Sequence, residues 1–203
     1  MTKRFGFRII LTAAVATLLW ATTITAQPPL ALGATRVTIN GTSNIHAYTA
    51  STTTVRLVRG EFGAIASGSD PWSQVLNPGA IDAFEVAIPA ATLTSPREGL
   101  DKNMHKALKI DQHADITFHV LRVEPLDGGA AKVTGVLRIA GVERQVMLDV
   151  KTQRTTNGLA VSGQTTLLMT DFGIKPPTAM LGMLKTDPKV TVAFETTVRI
   201  PLT

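Results

Sequence analysis

The sequence predicts an all-β domain of eight antiparallel strands and one short helix. Three observations carry that expectation. Apolar residues recur at every second position over most of the chain from Thr35 onward, the period of a strand with one buried face. The chain is 44% hydrophobic and 17% charged over 203 residues, enough to bury a core in one domain of ordinary size. Short turn signals separate the alternating runs.

Val37 and Ile39 share a parity in the first strand, and residues 53–62 supply a second, less cleanly patterned one. The tract TASTTT at 49–54 reads as a strand start or a solvated turn. Phe84, Val86 and Ile88 form the third strand, with Glu85 facing the other way. Ile116, Phe118 and Val120 oppose Thr117 and His119 in the fourth. Val133, Leu137 and Ile139 mark the fifth, and Val146, Leu148 and Val150 the sixth. Leu159, Val161, Leu167 and Met169 share one face of a long seventh strand, and Val190 to Ile200 make the eighth. The turns are DGG at 127–129, AGVER at 140–144 and TNG at 156–158. Links this short make neighbours in sequence antiparallel neighbours in space. On pattern alone, a closed barrel and a sandwich fit equally well.

One segment breaks the period. In SPREGLDKNMHKALK, Ser95, Pro96 and Glu98 have the spacing of a capping box with a proline at the first helical position. Leu100, Met104 and Leu108 then recur every four residues. This is a helix of about 12 residues, between strands three and four, marginal by itself and in need of an apolar surface to lie on. His105 is expected on its solvent side.

The N-terminus reads separately. Lys3, Arg4 and Arg8 precede an uncharged apolar run from Ile9 to Ala21, and small residues follow as far as Ala26. That is the layout of a secretory signal peptide over residues 1–26, with an uncleaved anchor as the alternative. The run is short for a membrane span, which needs about 20 residues. Residues 27–34 then read as a linker and 35–203 as the folded domain. Without Lys3, Arg4 and Arg8, 17 basic residues face 15 acidic ones. No basic stripe is left for nucleic acid. The chain has no cysteine, so an exported, periplasmic or secreted form relies on its core alone.

Catalytic signals are weak. DFG at 171–173 matches a kinase signature, but no Gly-rich phosphate loop or H-R-D segment accompanies it. Asp171 and Gly173 are better read as shaping the exit from strand seven. His46, His105, His113 and His119 show no metal-ligand spacing, and no G-x-S-x-G is present. No cofactor and no metal are expected, although a bound lipid is compatible with the pattern.

Segment 170–187, TDFGIKPPTAMLGMLKTD, has the prolines and glycines of a loop, yet carries Phe172, Ile174, Met180, Leu181, Met183 and Leu184. It either folds over a filled core or forms the mouth of an apolar cavity.

Four stretches, GTSNIHAY (41–48), LDKNMHKALKIDQHADITF (100–118), VTGVLRIAGVERQVMLDV (133–150) and LLMTDFGIKPPTAMLGMLKTDPKVTVAFE (167–195), together resemble the YceI-like family. The resemblance covers nearly all of the domain. It implies an eight-stranded antiparallel up-and-down lipocalin-like barrel, with the helix inserted between strands 3 and 4, exported, not known as an enzyme, and open inside to a long isoprenoid or related amphipathic lipid. The first stretch departs from the family's G-T-S-x-x-H-D-W, with Ala47 and Tyr48 in place of the acid and the tryptophan. A joint His–Asp role is therefore not carried over, and His46 alone stays as the candidate for a polar head group.

The leading expectation is non-catalytic binding and sequestration or transport of a polyisoprenoid or isoprenoid quinone in the cell envelope. Phe84, Phe118, Val161, Leu167 and Met169 would line the tunnel, Leu100, Met104 and Leu108 would cover it, and Phe172, Ile174, Met180 and Met183 would form its mouth. The alternatives are an enzyme acting on a small hydrophobic or lipid substrate in the same cavity, and a structural module with a filled core. Homodimerisation is left open by the sequence.

Overall fold

The computed structural model describes residues 30–63, 72, 75, 77–156, 158–179 and 183–199. The proposed signal peptide lies outside them. The strands are β1 (Ala31–Ser43), β2 (Ala47–Thr52), β3 (Arg56–Phe62), β4 (Ile81–Pro89), β5 (Asp115–Pro125), β6 (Ala130–Ile139), β7 (Val142–Thr155), β8 (Gly158–Leu168), β9 (Thr178–Ala179) and β10 (Leu184–Arg199). Helix α1 (Glu98–Leu108) lies between β4 and β5.

Nine of the strands form one antiparallel sheet in the order β2-β1-β10-β8-β7-β6-β5-β4-β3, with β9 pairing on β10. Apart from the short β9, which lies off this path, every neighbour is the next strand in sequence except at β10–β1, where β10 returns to β1, so the topology is up-and-down. The two edges, β2 and β3, are joined by residues 53–55 alone. Such a link spans at most about 14 Å, whereas the edges of a flat nine-strand sheet would lie roughly 38 Å apart at ~4.8 Å per strand. The short link therefore forces the sheet to curl into a barrel-like wall.

The seam between the edges has no ladder of its own. The segment after β4 fills it instead. Ser51 and Thr94 exchange backbone bonds of 2.8 and 3.0 Å, and the hydroxyls of Thr52 and Thr92 meet at 2.7 Å.

The model corrects the expected strand count from eight to ten. Residues 47–52 form a strand of their own, since Ala50 and Thr52 are buried although small. Strand β1 begins at Ala31, so half of the expected linker belongs to the sheet. The hairpin between β6 and β7 turns on Ala140 and Gly141, both at positive φ (50° and 83°), which suits the twist of the flanking strands.

Helix α1 starts at Glu98, two residues later than the capping box implied. Ser95 does not cap the helix. Its Oγ accepts from the Arg97 amide at 3.1 Å, and its own amide donates to Asp101 Oδ1 at 2.8 Å. Leu108 is buried, while Leu100 and Met104 are half-buried on the same side. His105 does not face solvent as expected: its Nε2–H donates to the Leu93 carbonyl at 2.8 Å and ties α1 to the seam segment.

Candidate functional site

Inward residues of the strands, Ile116, Leu167 and Val190 among them, pack into one cluster without filling the barrel. Between them lie two apolar lobes, one of about 240 Å³ and one of about 280 Å³. They are neighbours at a waist, where Ile39, Ile116, Ile139, Leu167 and Val192 line both. Along β10 the lining runs from Val190 to Val198, eight residues or about 26 Å at ~3.3 Å per residue.

The inner lobe is lined by Phe84, Phe118, Val161, Leu167 and the other inward residues, none of them charged. Alternation on a pleated wall produces this, because every second side chain points in. The aromatic rings need extra room: a Cβ at Gly135 would collide with the Phe118 ring, so glycine there lets the ring lie flat against β6. Four threonines share the lining, and their hydroxyls are occupied. Thr35 and Thr196 meet at 2.7 Å, Thr152 donates to the Gly129 carbonyl at 2.9 Å, and Thr165 to the Met147 carbonyl at 3.2 Å. A guest in this lobe meets hydrocarbon and satisfied hydroxyls only.

The floor of the inner lobe is packed. Leu30, Phe62, Val75, Leu159 and Val198 form a buried cluster. Trp72 stands edge-on to Phe62, with centroids 5.9 Å apart, and the Arg154 guanidinium lies 5.6 Å from the Trp72 ring centroid.

The outer lobe is covered by α1 and by segment 169–178. Leu100, Met104, Leu108, Met169, Phe172 and Ile174 line it. A short 3-10 turn, Met169–Phe172, ends at Gly173 with φ 65°, and the Ile174 amide returns to the Met169 carbonyl at 3.0 Å. This turn drives Phe172 (2% exposed) and Ile174 inward. Asp171 and Gly173 thus belong to a strand exit.

Two of the expected mouth residues stand apart. Met183 does not line the lobe. Its side chain is 66% exposed, and only its backbone takes part, the carbonyl accepting from Asn44 Nδ2 at 2.8 Å. The local reason is the Asn44 clip, which also accepts from the Lys185 amide at 2.8 Å and fixes this stretch with its side chain outward. Met180 lies outside the described residues.

The outer lobe ends in polar groups. Ser43, His46, Tyr48, Arg97, Asn103, Thr178 and Thr186 line it beside the aliphatic residues. A tight turn presents His46: Ser43 Oγ donates to the His46 carbonyl at 2.8 Å and accepts from the His46 amide at 3.1 Å. Arg97 Nη1 meets His46 Nε2. Tyr48 lies over β1, where a Cβ at Gly41 would strike its ring. Burial first, then the nearby charge of Asp187, pushes the Tyr48 phenol above its ordinary value, so it stays a neutral donor.

Arg97 was not foreseen as a site residue. Its partner is 51 positions away, and its place before Glu98 read as helix start. Among the described residues, no group of three or more His, Cys, Asp or Glu could hold a metal ion. No described helix is long and apolar enough to cross a membrane.

A curled up-and-down sheet around an apolar cavity, with one polar end, defines the class of lipocalin-like cavity barrels. The chain belongs to the YceI-like family: the model of the YceI-like domain matches residues 33–198. Among solved structures it is similar to BcnA of Burkholderia cenocepacia at 13% identity, covering 81% of this chain and 95% of that one, with a TM-score of 0.63. The YceI protein of Campylobacter jejuni is 17% identical, with 97% and 93% covered and a TM-score of 0.56. A polyisoprenoid binding domain from Saccharophagus degradans, implicated in plant cell wall breakdown, is 13% identical, with 86% and 100% covered and a TM-score of 0.58. At these identities the likeness is one of fold. The chain has no match among curated proteins.

Proposed function

We propose that this protein is a non-catalytic carrier that holds one long apolar chain, a polyisoprenoid or the tail of an isoprenoid quinone, in the cell envelope. The observation that carries the reading is the pair of adjacent lobes: an uncharged inner one, and an outer one that ends at His46, Tyr48 and Arg97. A folded core has no use for such a hollow, since unfilled space costs packing energy. Burial of each methylene contributes about 0.8 kcal/mol before ordering costs, so even ten buried carbons supply a useful affinity. The hollow also argues against a structural module with a filled core. The family match and the polyisoprenoid binding domain of like fold support the ligand class.

In this reading the chain enters tail first and its tip reaches the Trp72 floor. The polar end stays at Arg97, Tyr48 and His46, where an arginine fork and a phenol can donate to a phosphate or a quinone oxygen. Met104, Leu108, Phe172 and Ile174 close over the first units of the tail. Export through the N-terminal segment places the carrier in the periplasm or outside the cell. Native mass spectrometry of protein purified from cells that make it, followed by organic extraction, tests the proposal. A co-purifying lipid with a long hydrocarbon chain is expected. Protein that carries no such lipid, and takes none up from detergent, would overturn it.

A further inference from the structure

The geometry points to the rim of the outer lobe as a docking surface for an anionic lipid bilayer, from which the ligand passes without entering water. The inference rests on the carrier reading and concerns how the lobe is filled.

Two turns meet at this rim. The β1–β2 turn contributes Ser43 and His46 to the lobe, and the stretch across from it contributes Pro177, Thr178 and Thr186. Asn44 joins them through three bonds: its amide to the Lys185 carbonyl at 3.0 Å, its Nδ2 to the Met183 carbonyl at 2.8 Å, and its Oδ1 from the Lys185 amide at 2.8 Å. Each stretch carries a large apolar side chain left in solvent, Ile45 at 60% exposed and Met183 at 66%. A single exposed apolar residue means little. Here two sit on turns fastened to each other, at the edge of an opening whose lining is itself apolar.

The charges at the rim fit the same partner. Arg97 lines the lobe, Lys185 follows Met183, and Lys175 lies between the lobe residues Ile174 and Pro177. None of the three takes part in an ion pair among the described residues. Asp187, near Tyr48, is the acid on this stretch. Exposed apolar tips flanked by unpaired cations are the pattern of shallow insertion into an anionic interface. The need is physical as well. Drawing ten methylenes through water would slow transfer by about a million-fold, which a rim seated on the bilayer avoids.

Flotation with ligand-free vesicles tests the docking directly, and loading from detergent tests the carrier reading apart from it. The native protein should float with phosphatidylglycerol vesicles, less so with pure phosphatidylcholine or in high salt. Ile45→Asp combined with Met183→Asp should abolish flotation and slow uptake of a fluorescent isoprenoid from vesicles by roughly tenfold or more. Loading of the same probe from detergent, and the circular dichroism spectrum, should be unchanged because both side chains are already exposed. Equal flotation of native and variant protein, or none by either, would overturn the docking. Failure of the native protein to load from detergent would instead remove the carrier reading.

Discussion

The two ends of the barrel are built from the same alternating strands and finish differently. The floor end is sealed: Leu30, Phe62, Val75, Leu159 and Val198 pack together, with Trp72 edge-on to Phe62. The mouth end has a packed cluster of its own, with Leu108, Ile116, Phe172, Ile174 and Val190 buried, and beyond it the lining gives way to Ser43, His46, Tyr48 and Arg97. A binary pattern builds a wall at both ends. What stands beyond the wall at each end is decided by the loops and termini. Both ends thus carry a packed cluster that holds the fold, and the polar groups of the lining gather at the mouth.

This division can be broken by mutation. Phe62→Ala should remove about 3 kcal/mol or more of stability, because the floor cluster is sealed and its ring meets Trp72. Met104→Ala, in the open outer lobe, should cost about 1 kcal/mol. Urea denaturation of the two variants measures the contrast, and equal losses would erase the distinction between the ends.

Val192→Phe puts a ring into the waist shared by both lobes. Uptake of a long isoprenoid should fall at least tenfold, while stability stays within about 1.5 kcal/mol of native because the ring enters existing space. Isothermal titration beside thermal unfolding checks both parts. Arg97→Gln should leave stability within about 0.5 kcal/mol, since Arg97 is exposed. It should weaken a phosphate-headed chain several-fold while sparing a chain with a neutral alcohol head.

The smallest effect expected is on pH dependence. Tyr48 is the one tyrosine in the chain, so phenolate absorbance reads it directly. Its folded value is raised, first by burial and then by Asp187. The folded state thus holds the phenol proton more tightly than the unfolded chain. The resulting stability is complete below about pH 10 and is lost as pH rises through the folded value. The phenol should titrate above the free value, and Tyr48→Phe should flatten the alkaline fall in stability.

Most of the wall was legible because period-2 alternation is a direct image of one buried face. Phe84, Phe118, Val161 and Leu167 could be placed inside from parity alone, and each lines the inner lobe. Strand β2 was hidden because its buried members, Ala50 and Thr52, are small and carry little hydrophobic signal. The start of β1 was hidden by Pro28 and Pro29, which read as linker although Leu30 and Leu32 turn inward. The mouth was less legible. Met183 looked apolar enough to be buried, but the Asn44 clip turns it out, and that contact joins residues 139 positions apart. The Arg97–His46 contact spans 51 positions and likewise leaves no local pattern. Phe172 and Ile174 were found because a loop with several large apolar side chains has to cover something.

Trp72 offers the most direct test that the hollow accepts a chain along its whole length. It lines the inner lobe at the floor, and with residues 1–26 removed it is the one tryptophan left. Titration with a long isoprenoid should give a saturable change in Trp72 emission, lost in Val192→Phe. Emission that stays constant while the ligand binds would show that nothing passes the waist, and would contradict the tunnel.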